Sequence, residues 1–512
     1  MEFSPIKTIT ILGGGTAGWM AACLMAKRWA NSDIKITLVE SPEIGIIGVG
    51  EGSTPKLKDF FEQLGIPESE WMPECNATYK NGISFKGWST VPGYQQYFHP
   101  FGCSIDSMTF KFLQKSSILR RKGFQVEAHP DRFFLMAELA KQQLAPIAGT
   151  NFPFQFDYAY HFDSHLVGKF LSRKAVELGV THIVGTVKQV LQNEKGDIDT
   201  LELEDQRQID SDFFIDCSGF ASILLQKTLK VRFESFSDNL FNDSAIALPS
   251  SITEAIPSQT DSTALTAGWA WKIPLTNRFG NGYVYSSDYL DADKAELELR
   301  QHVGLLDSDV SAKHIKMKVG QVSQSWSHNC VAIGLSQGFI EPLEATALQF
   351  VQTTIEEFMA ALEFGRFTSQ FRDIFNHKIR KNFEGIRDYI VLHYKTNSRN
   401  DSQYWKDNRD NQKISSTLES MLDCWKNINN LESELKRLEI DRYYTSISWN
   451  CLLSGVGLFP ASEKLVALPN NVEKIDLEFV KHFMQGCTLN FSNHRDILEK
   501  LKVKKPAVAM TV

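Results

Sequence analysis

Lys7-Thr-Ile-Thr-Ile-Leu-Gly-Gly-Gly-Thr-Ala-Gly18 decides the fold. The β-branched and apolar residues from Lys7 to Leu12 predict a buried strand, which three glycines stop. Thr16 to Ala30, rich in Ala, Met and Leu, predicts a helix, and Lys35-Ile-Thr-Leu-Val39 predicts a second strand ending at Glu40. Gly13, Gly15 and Gly18 fit the pattern G-x-G-x-x-G. The first allows a tight turn, the second lets the backbone approach a pyrophosphate, and the third lets helix and strand pack closely. The helix start at Thr16 and Ala17 offers free N–H groups and a positive dipole end to phosphates. Glu40, about 20 residues on, can accept a hydrogen bond from a ribose hydroxyl. The unit predicts a dinucleotide site, but the fingerprint alone does not separate FAD from NAD.

Farther along, Asp212-Phe-Phe-Ile-Asp-Cys-Ser-Gly219 and Cys330-Val-Ala-Ile-Gly-Leu335 read as buried strands ending in small-residue turns. They resemble the strand ends that return to the flavin in the aromatic-hydroxylase-like flavoproteins. The plainer alternative is that Asp216 and Gly334 only terminate strands. No second G-x-G-x-x-G occurs, so no NAD(P)H site is evident and a flavin would be reduced elsewhere. From about residue 350 the pattern turns helical, over Val351–Phe364, Phe367–Tyr389, Ile414–Leu438 and Asp476–His482. The expected fold is α/β: a Rossmann-like FAD-binding domain interwoven with a mixed substrate domain, with a helical C-terminal part. Residues 1–89, 161–225 and 311–365 are assigned to FAD binding. Residues 90–160, 226–310 and the helical 366–512 are assigned to the substrate side, with a frayed tail from Lys500.

Composition narrows the classes. A net charge of −7 argues against a nucleic-acid partner, which needs a basic face. No apolar stretch approaches the roughly 20 residues of a membrane helix, and Ile9–Leu12 reads as a strand, not as part of a signal peptide. The eight cysteines are scattered without a CxxC pair or a Cys/His cluster, which predicts no metal site and fits a reducing cytoplasm. Thirty-five Phe, 13 Tyr and 10 Trp supply core, and they also suit planar ligands.

A second motif points to one chemistry. Gly268-Trp-Ala-Trp-Lys-Ile-Pro274 reads W-x-W-x-I-P through Trp269, Trp271, Ile273 and Pro274. With Gly48-Val-Gly-Glu-Gly-Ser-Thr-Pro55, Gly65-Ile-Pro-Glu-Ser-Glu-Trp-Met-Pro73 and Phe339-Ile-Glu-Pro-Leu-Glu-Ala-Thr346, it resembles the flavin-dependent halogenases of the tryptophan halogenase family. The resemblance implies a two-component enzyme that takes reduced FAD from a partner flavin reductase. In that family a flavin hydroperoxide oxidises chloride or bromide to hypohalous acid, which crosses a tunnel to an electron-rich aromatic. By the same resemblance, Gly13, Gly15, Thr16, Ala17, Gly18, Glu40 and Gly50 hold FAD, and Leu335 and Leu348 contact the flavin. Thr346 and Ala347 bind halide through backbone N–H groups, as a nest of amides can. The Trp269–Pro274 segment lies beside the flavin. Glu344 takes the proton of the halogenated intermediate or orients the oxidant; the bland alternative is an acid favoured by a helix dipole.

Two departures qualify the likeness. The family's catalytic lysine lies in a segment resembling Ile-Lys-Phe-x-x-Trp, and Ile83-Ser-Phe-Lys-Gly-Trp88 places Ser84 there. Serine can carry neither a positive charge nor become a haloamine. Lys86, of the same strand parity, is either a substitute donor or a surface lysine, and Lys80 shares the parity from farther away. The aromatic segment before Trp449 arrives early, so the loop around the substrate is shortened and the pocket is expected to be more open. His99, Phe101, His393 and Trp449 are placed near the substrate, each equally readable as core. Halogenation of an indole- or tryptophan-like aromatic is the leading expectation. A flavin monooxygenase or oxidase that lost halogenation at Ser84 is the alternative, and a silent flavin-binding protein is the third. Substrate, halide and oligomeric state, a homodimer included, are left open.

Overall fold

The computed structural model describes residues 6–43 and 50–503. The chain forms two units, each drawn from three segments. One comprises Met1–Ala77, Phe162–Ser237 and Met317–Glu384; the other comprises Thr78–His161, Asp238–Lys316 and Gly385–Val512.

The first unit is built on a six-stranded sheet in the order Trp326–Ser327, Cys330–Ala332, Phe213–Asp216, Thr8–Leu12, Lys35–Glu40, Thr181–Val184. Thr8–Leu12 is central and parallel to both neighbours. Residues Ile9 to Leu12 are all buried, because a parallel strand is covered on both faces. The expected helix runs from Thr16 to Arg28, and its residues Gly18 to Ala26 are buried without a break.

The turn between them shows why three glycines are spent there. Gly13 takes a φ of +120°, and a Cβ on it would lie 2.2 Å from the Cys217 carbonyl oxygen. A Cβ on Gly18 would lie 2.0 Å from the Gly13 carbonyl oxygen. A Cβ on Gly15 would meet nothing within 4 Å. Two of the three glycines therefore serve packing, and the middle one keeps space open.

The second unit holds a seven-stranded sheet in the order Lys313–Lys316, Ser244–Ser251, Arg278–Tyr285, Gly268–Pro274, Thr260–Leu265, Gly82–Lys86, Gln96–Pro100. Its pairs are antiparallel except Thr260–Leu265 with Gly82–Lys86. The Trp269–Pro274 motif is thus an interior strand. A short strand, Thr78–Lys80, pairs instead with residues 159–161. Among the described residues, no helix is long and apolar enough to cross a membrane.

The C-terminal part is helical, with one correction. The Ile414–Leu438 pattern forms two helices, Ser416–Lys426 and Leu431–Arg437. Ile428 sits at φ 61°, and the Asn430 side chain accepts from Ser433 N–H at 3.0 Å, starting the second helix. Asn-rich sequence offers the backbone caps that compete with a continuous helix. Phe367–Tyr389 becomes Arg372–Lys395, and Asp476 caps Leu477–Thr488 by accepting from Phe479 N–H at 2.9 Å. The tail beyond Val503 lies outside the described residues, as do Gly48 and Val49.

His494 ties the last helix into this unit. Its ring is fully buried, its Nε2 accepts from Tyr79 N–H at 3.0 Å, and its Nδ1 donates to the Ile256 carbonyl at 3.1 Å. Burial pushes its pKa down from 6.5 to about 4. The unfolded chain therefore binds this proton below about pH 6.5 while the folded chain refuses it until about pH 4, so stability falls across that window as pH falls. The stability advantage of the protein over H494N should shrink by about 2 kcal/mol between pH 7 and pH 5. Chemical denaturation of the pair at several pH values would show it, and a gap constant with pH would mean that the ring titrates in the fold as it does in the unfolded chain. At the turn, Gly18→Ala should prevent folding of the first unit, whereas Gly15→Ala should keep Tm and weaken FAD binding at least ~10-fold. Melting curves and flavin-fluorescence titration separate the two, and equal behaviour would contradict the division of roles.

Candidate active site

In the first unit, the N-terminus of Thr16–Arg28 has no side-chain cap and no acid in its first turn. Its free N–H groups therefore face the open space at Gly15. Glu40 ends the adjacent strand, and its carboxylate is held by His182 Nε2 at 3.1 Å. Trp19 packs edge-on against that imidazole at 4.9 Å. A Cβ on Gly14 would lie 2.2 Å from the Glu40 carboxyl carbon, so a side chain there would push that carboxylate aside. His182 and Gly14 escaped the fingerprint reading. Both act through Glu40, which the fingerprint treats as a lone acid.

Gly334, at φ +76°, lets its turn approach closely, with a Cβ position only 2.8 Å from the Ala17 Cβ. That places half-buried Leu335 next to the helix start. Asp216 is fully buried and accepts from Leu224 N–H at 2.9 Å, Leu225 N–H at 2.8 Å and Ser218 N–H at 3.0 Å. Those bonds tie down the strand-end turn, and they account for Asp216 without a ligand. Gly50 is buried at the start of the short Gly50–Gly52 strand. The open turn, the uncapped helix and the held acid suit the pyrophosphate and ribose of a dinucleotide such as FAD.

A second uncapped helix starts nearby in sequence. Ala347–Phe364 has Thr346 at its N-cap, with no side-chain cap bond and no acid in the first turn. Ala347 is exposed and Leu348 buried. Ala345 adopts φ 55°, a left-handed conformation costly for a residue with a side chain. Glu341 and Glu344 are buried and precede the helix, so neither sits in its first turn, where a dipole-stabilised acid belongs.

In the second unit, the Gly82–Lys86 strand divides its side chains by face. Phe85 stacks on Tyr97 at 5.0 Å and meets His393 at 4.7 Å. The same aromatic cluster takes in Tyr389, which contacts His393 at 5.6 Å, Trp449 at 5.4 Å and His99 at 6.4 Å. Tyr444 stacks on Tyr389 at 3.6 Å. Three of the four residues expected near the substrate, His99, His393 and Trp449, therefore share one cluster.

Ser84 points the other way. It accepts from Gln96 Nε2 at 3.2 Å and lines a cavity of about 930 Å³ with Gln96, Phe98, His129, Asp131 and Asp261. Lys86 shares that face, in an ion pair with Asp261 at 2.8 Å. Neither lies on the side of the aromatic cluster.

Lys80 does not share their face. A single period-2 strand through Asn81 gives Lys80 the parity of Ser84, but Thr78–Lys80 and Gly82–Lys86 belong to different sheets. Lys80 is 0% exposed, and its ammonium stands 5.3 Å from the centre of the Phe101 ring. The Phe101 N–H donates to the Asn81 carbonyl at 3.1 Å, which fixes that ring beside the lysine. Fully buried lysines are rare, because an ammonium loses its hydration there. The signal that marks it in the sequence is the polar run Thr78-Tyr-Lys-Asn81, which sits between buried segments.

Trp269, Trp271, Ile273 and Pro274 are buried in their strand. The two indole rings lie 6.2 Å apart, and both Nε1–H groups are buried without an acceptor among the described residues. Two buried donors on one strand face are unusual unless a ligand or water completes them.

The tryptophan halogenase family model matches residues 8–470. The chain is 35% identical to the 7-chloro-L-tryptophan 6-halogenase KtzR of Kutzneria sp. (strain 744), covering 96% of this chain and 99% of that one. It is 38% identical to the tryptophan 6-halogenase SttH of Streptomyces toxytricini, covering 91% of this chain and 93% of that protein. The crystal structure of SttH superposes with a TM-score of 0.83 at 33% identity, over 97% of this chain and all (100%) of that one. BrvH, a flavin-dependent halogenase from Brevundimonas sp. BAL3, superposes with a TM-score of 0.81 at 32% identity, over 97% and 99% of the two chains. The chain belongs to the tryptophan halogenase family, flavin-dependent enzymes that rely on a separate flavin reductase.

Proposed function

We propose that the protein halogenates an electron-rich, indole-bearing aromatic with chloride or bromide, using FAD reduced by a partner enzyme, and that Lys80 is its catalytic lysine. The buried ammonium of Lys80 beneath the Phe101 ring carries this reading. When bound, reduced FAD supplies the activation of O2 needed to oxidise halide to hypohalous acid. Gly13, Gly15, Thr16, Ala17 and Gly18 bind its pyrophosphate through backbone, Glu40 its ribose, and Gly50, Leu335 and Leu348 its remaining faces. Thr346 and Ala347 present backbone N–H groups to the halide, an arrangement that needs no cationic side chain.

Lys80 then does what Ser84 cannot. The ammonium donates to the oxygen of hypohalous acid; or, having lost a proton, the free amine attacks the halogen, the O–X bond breaks and water leaves to give a haloamine; either holds electrophilic halogen at a fixed point. Lys86 is a poor substitute, with its charge committed to Asp261 at 2.8 Å. Glu344 accepts the proton that leaves the ring carbon after halogen addition. His99, Phe101, His393 and Trp449 supply the apolar, planar surroundings that an indole needs. The monooxygenase alternative rested on Ser84 as a lost lysine. Ser84 turned toward the 930 Å³ cavity and a buried lysine at position 80 favour the halogenase reading over it.

The test is bromination of tryptophan or indole, with FAD, NADH, a generic flavin reductase, oxygen and bromide, read by mass spectrometry. Lys80→Met should cut product at least ~100-fold while FAD binding persists, and Lys86→Ala should stay within ~3-fold of the unaltered protein. The opposite ranking would return the role to Lys86. An oxygenated product without bromine isotope peaks would sink the halogenase reading. Glu344→Gln should lower kcat by roughly 100-fold with KM for the aromatic little changed; a loss confined to KM would make Glu344 a binding residue only.

A further inference from the structure

Next to Lys80 lies a chain of hydrogen bonds whose direction is fixed by the number of protons available. The Thr78 hydroxyl donates to the Pro274 carbonyl at 2.7 Å, since a carbonyl can only accept. Having given its one proton, that hydroxyl can only accept from His161 Nδ1, 3.0 Å away. A neutral imidazole carries a single proton, so Nε2 is bare and accepts from the Thr260 hydroxyl at 2.9 Å. The chain therefore runs Thr260 to His161 to Thr78 to Pro274 with every donor matched. His161 and Thr78 are both 0% exposed, so the chain lies away from bulk solvent.

The anchors are telling. Thr78 lies two residues from Lys80 on the same short strand, and Pro274 closes the W-x-W-x-I-P strand. Thr260 begins the strand that pairs with Gly82–Lys86. His161 opposes Thr78 in the ladder, so the ring reaches across from the strand beside the one that carries the lysine. The titratable groups facing His161 are Lys80 and His494. Burial, the Lys80 charge and His494 together drive the His161 pKa well below its usual value. The ring thus stays in the one protonation state that satisfies the chain.

We propose that His161 is a positioning residue: its neutral ring, donating to Thr78 and accepting from Thr260, clamps the Lys80 strand to the end of the Trp269–Pro274 strand and so sets where the ammonium sits. This rests on Lys80 being the catalytic lysine. A core histidine that only fills space would affect stability alone. A clamp that sets Lys80 affects the chemical step, where a displacement of about 1 Å can cost on the order of 100-fold.

The experiment uses the full-length protein loaded with FAD, with bromide and tryptophan or indole as probes, and compares His161→Phe, His161→Gln, Thr260→Val and Lys80→Met. His161→Phe removes both bonds, whereas a Gln amide donates from nitrogen and accepts at oxygen across a similar span. The proposal expects His161→Phe to lower kcat roughly 10- to 100-fold with KM for bromide and for the aromatic within ~2-fold, and His161→Gln to restore most of it. Thr260→Val, remote from the lysine in the chain of bonds, should also lower kcat, and the His161→Phe/Thr260→Val double variant should be no worse than His161→Phe alone. If Lys80→Met is inactive while His161→Phe or Thr260→Val keeps full kcat, the clamp is overturned. Equal losses in His161→Gln and His161→Phe would also overturn it, as would losses confined to Tm. Should His161→Phe fail to fold, Thr260→Val and His161→Gln decide the matter. An active Lys80→Met overturns the clamp as well, but through the failure of the lysine assignment beneath it, which the other variants cannot mimic.

Discussion

The carbonyl oxygen of Gly13 occupies the place where a side chain on residue 18 would begin. That approach seats the Thr16–Arg28 helix against the central strand, and the first unit is arranged around it. Because the helix lies so close, its N-terminus opens directly at the strand end, and Gly15 leaves the space in front of it free. Glu40 reaches the same point from the next strand in the sheet and is kept there by His182. One steric fact at residue 18 therefore fixes an uncapped helix end, the Glu40 carboxylate and the distance between them.

The second unit depends on strand alternation. On Gly82–Lys86 the odd positions join Tyr97 and His393, while the even positions meet Gln96 and Asp261. A shift of one residue would exchange the aromatic cluster for the polar cavity. The hinge of the arrangement is Asn81, where the chain leaves one sheet for another. Its side chain donates to the Leu144 carbonyl at 3.1 Å and to the Ser258 hydroxyl at 2.9 Å. A polar residue held on both sides ends one strand and begins the next without exposing backbone to an apolar core.

What could be read from sequence follows from the range of the forces involved. The βαβ unit and its glycines were legible because turn geometry and helix start are local, and the W-x-W-x-I-P strand was legible as a motif. The facing of Ser84 and Lys80 was not, because parity carries information only within one uninterrupted strand, and the break at Asn81 comes from tertiary bonds to residues 144 and 258. His182, His161 and His494 escaped for a related reason. A lone histidine has no periodicity, and its role exists only once partners 142, 99 or 415 residues away along the chain are brought beside it. The helix break at residues 427–430 was written in a run of asparagines that periodicity counting overlooked.

Ala345 holds a left-handed backbone, a conformation that an alanine adopts at a cost of roughly 1–2 kcal/mol. A glycine would relieve that cost, so the surrounding contacts must over-determine the turn, among them the Ala345 N–H to Pro342 carbonyl bond of 3.0 Å. The Thr346 and Ala347 amides that follow open an uncapped helix, so this turn sets them ahead of any ligand. A halide held there, as proposed, would meet dipoles that need not rotate, and a turn this rigid would sort ions by radius.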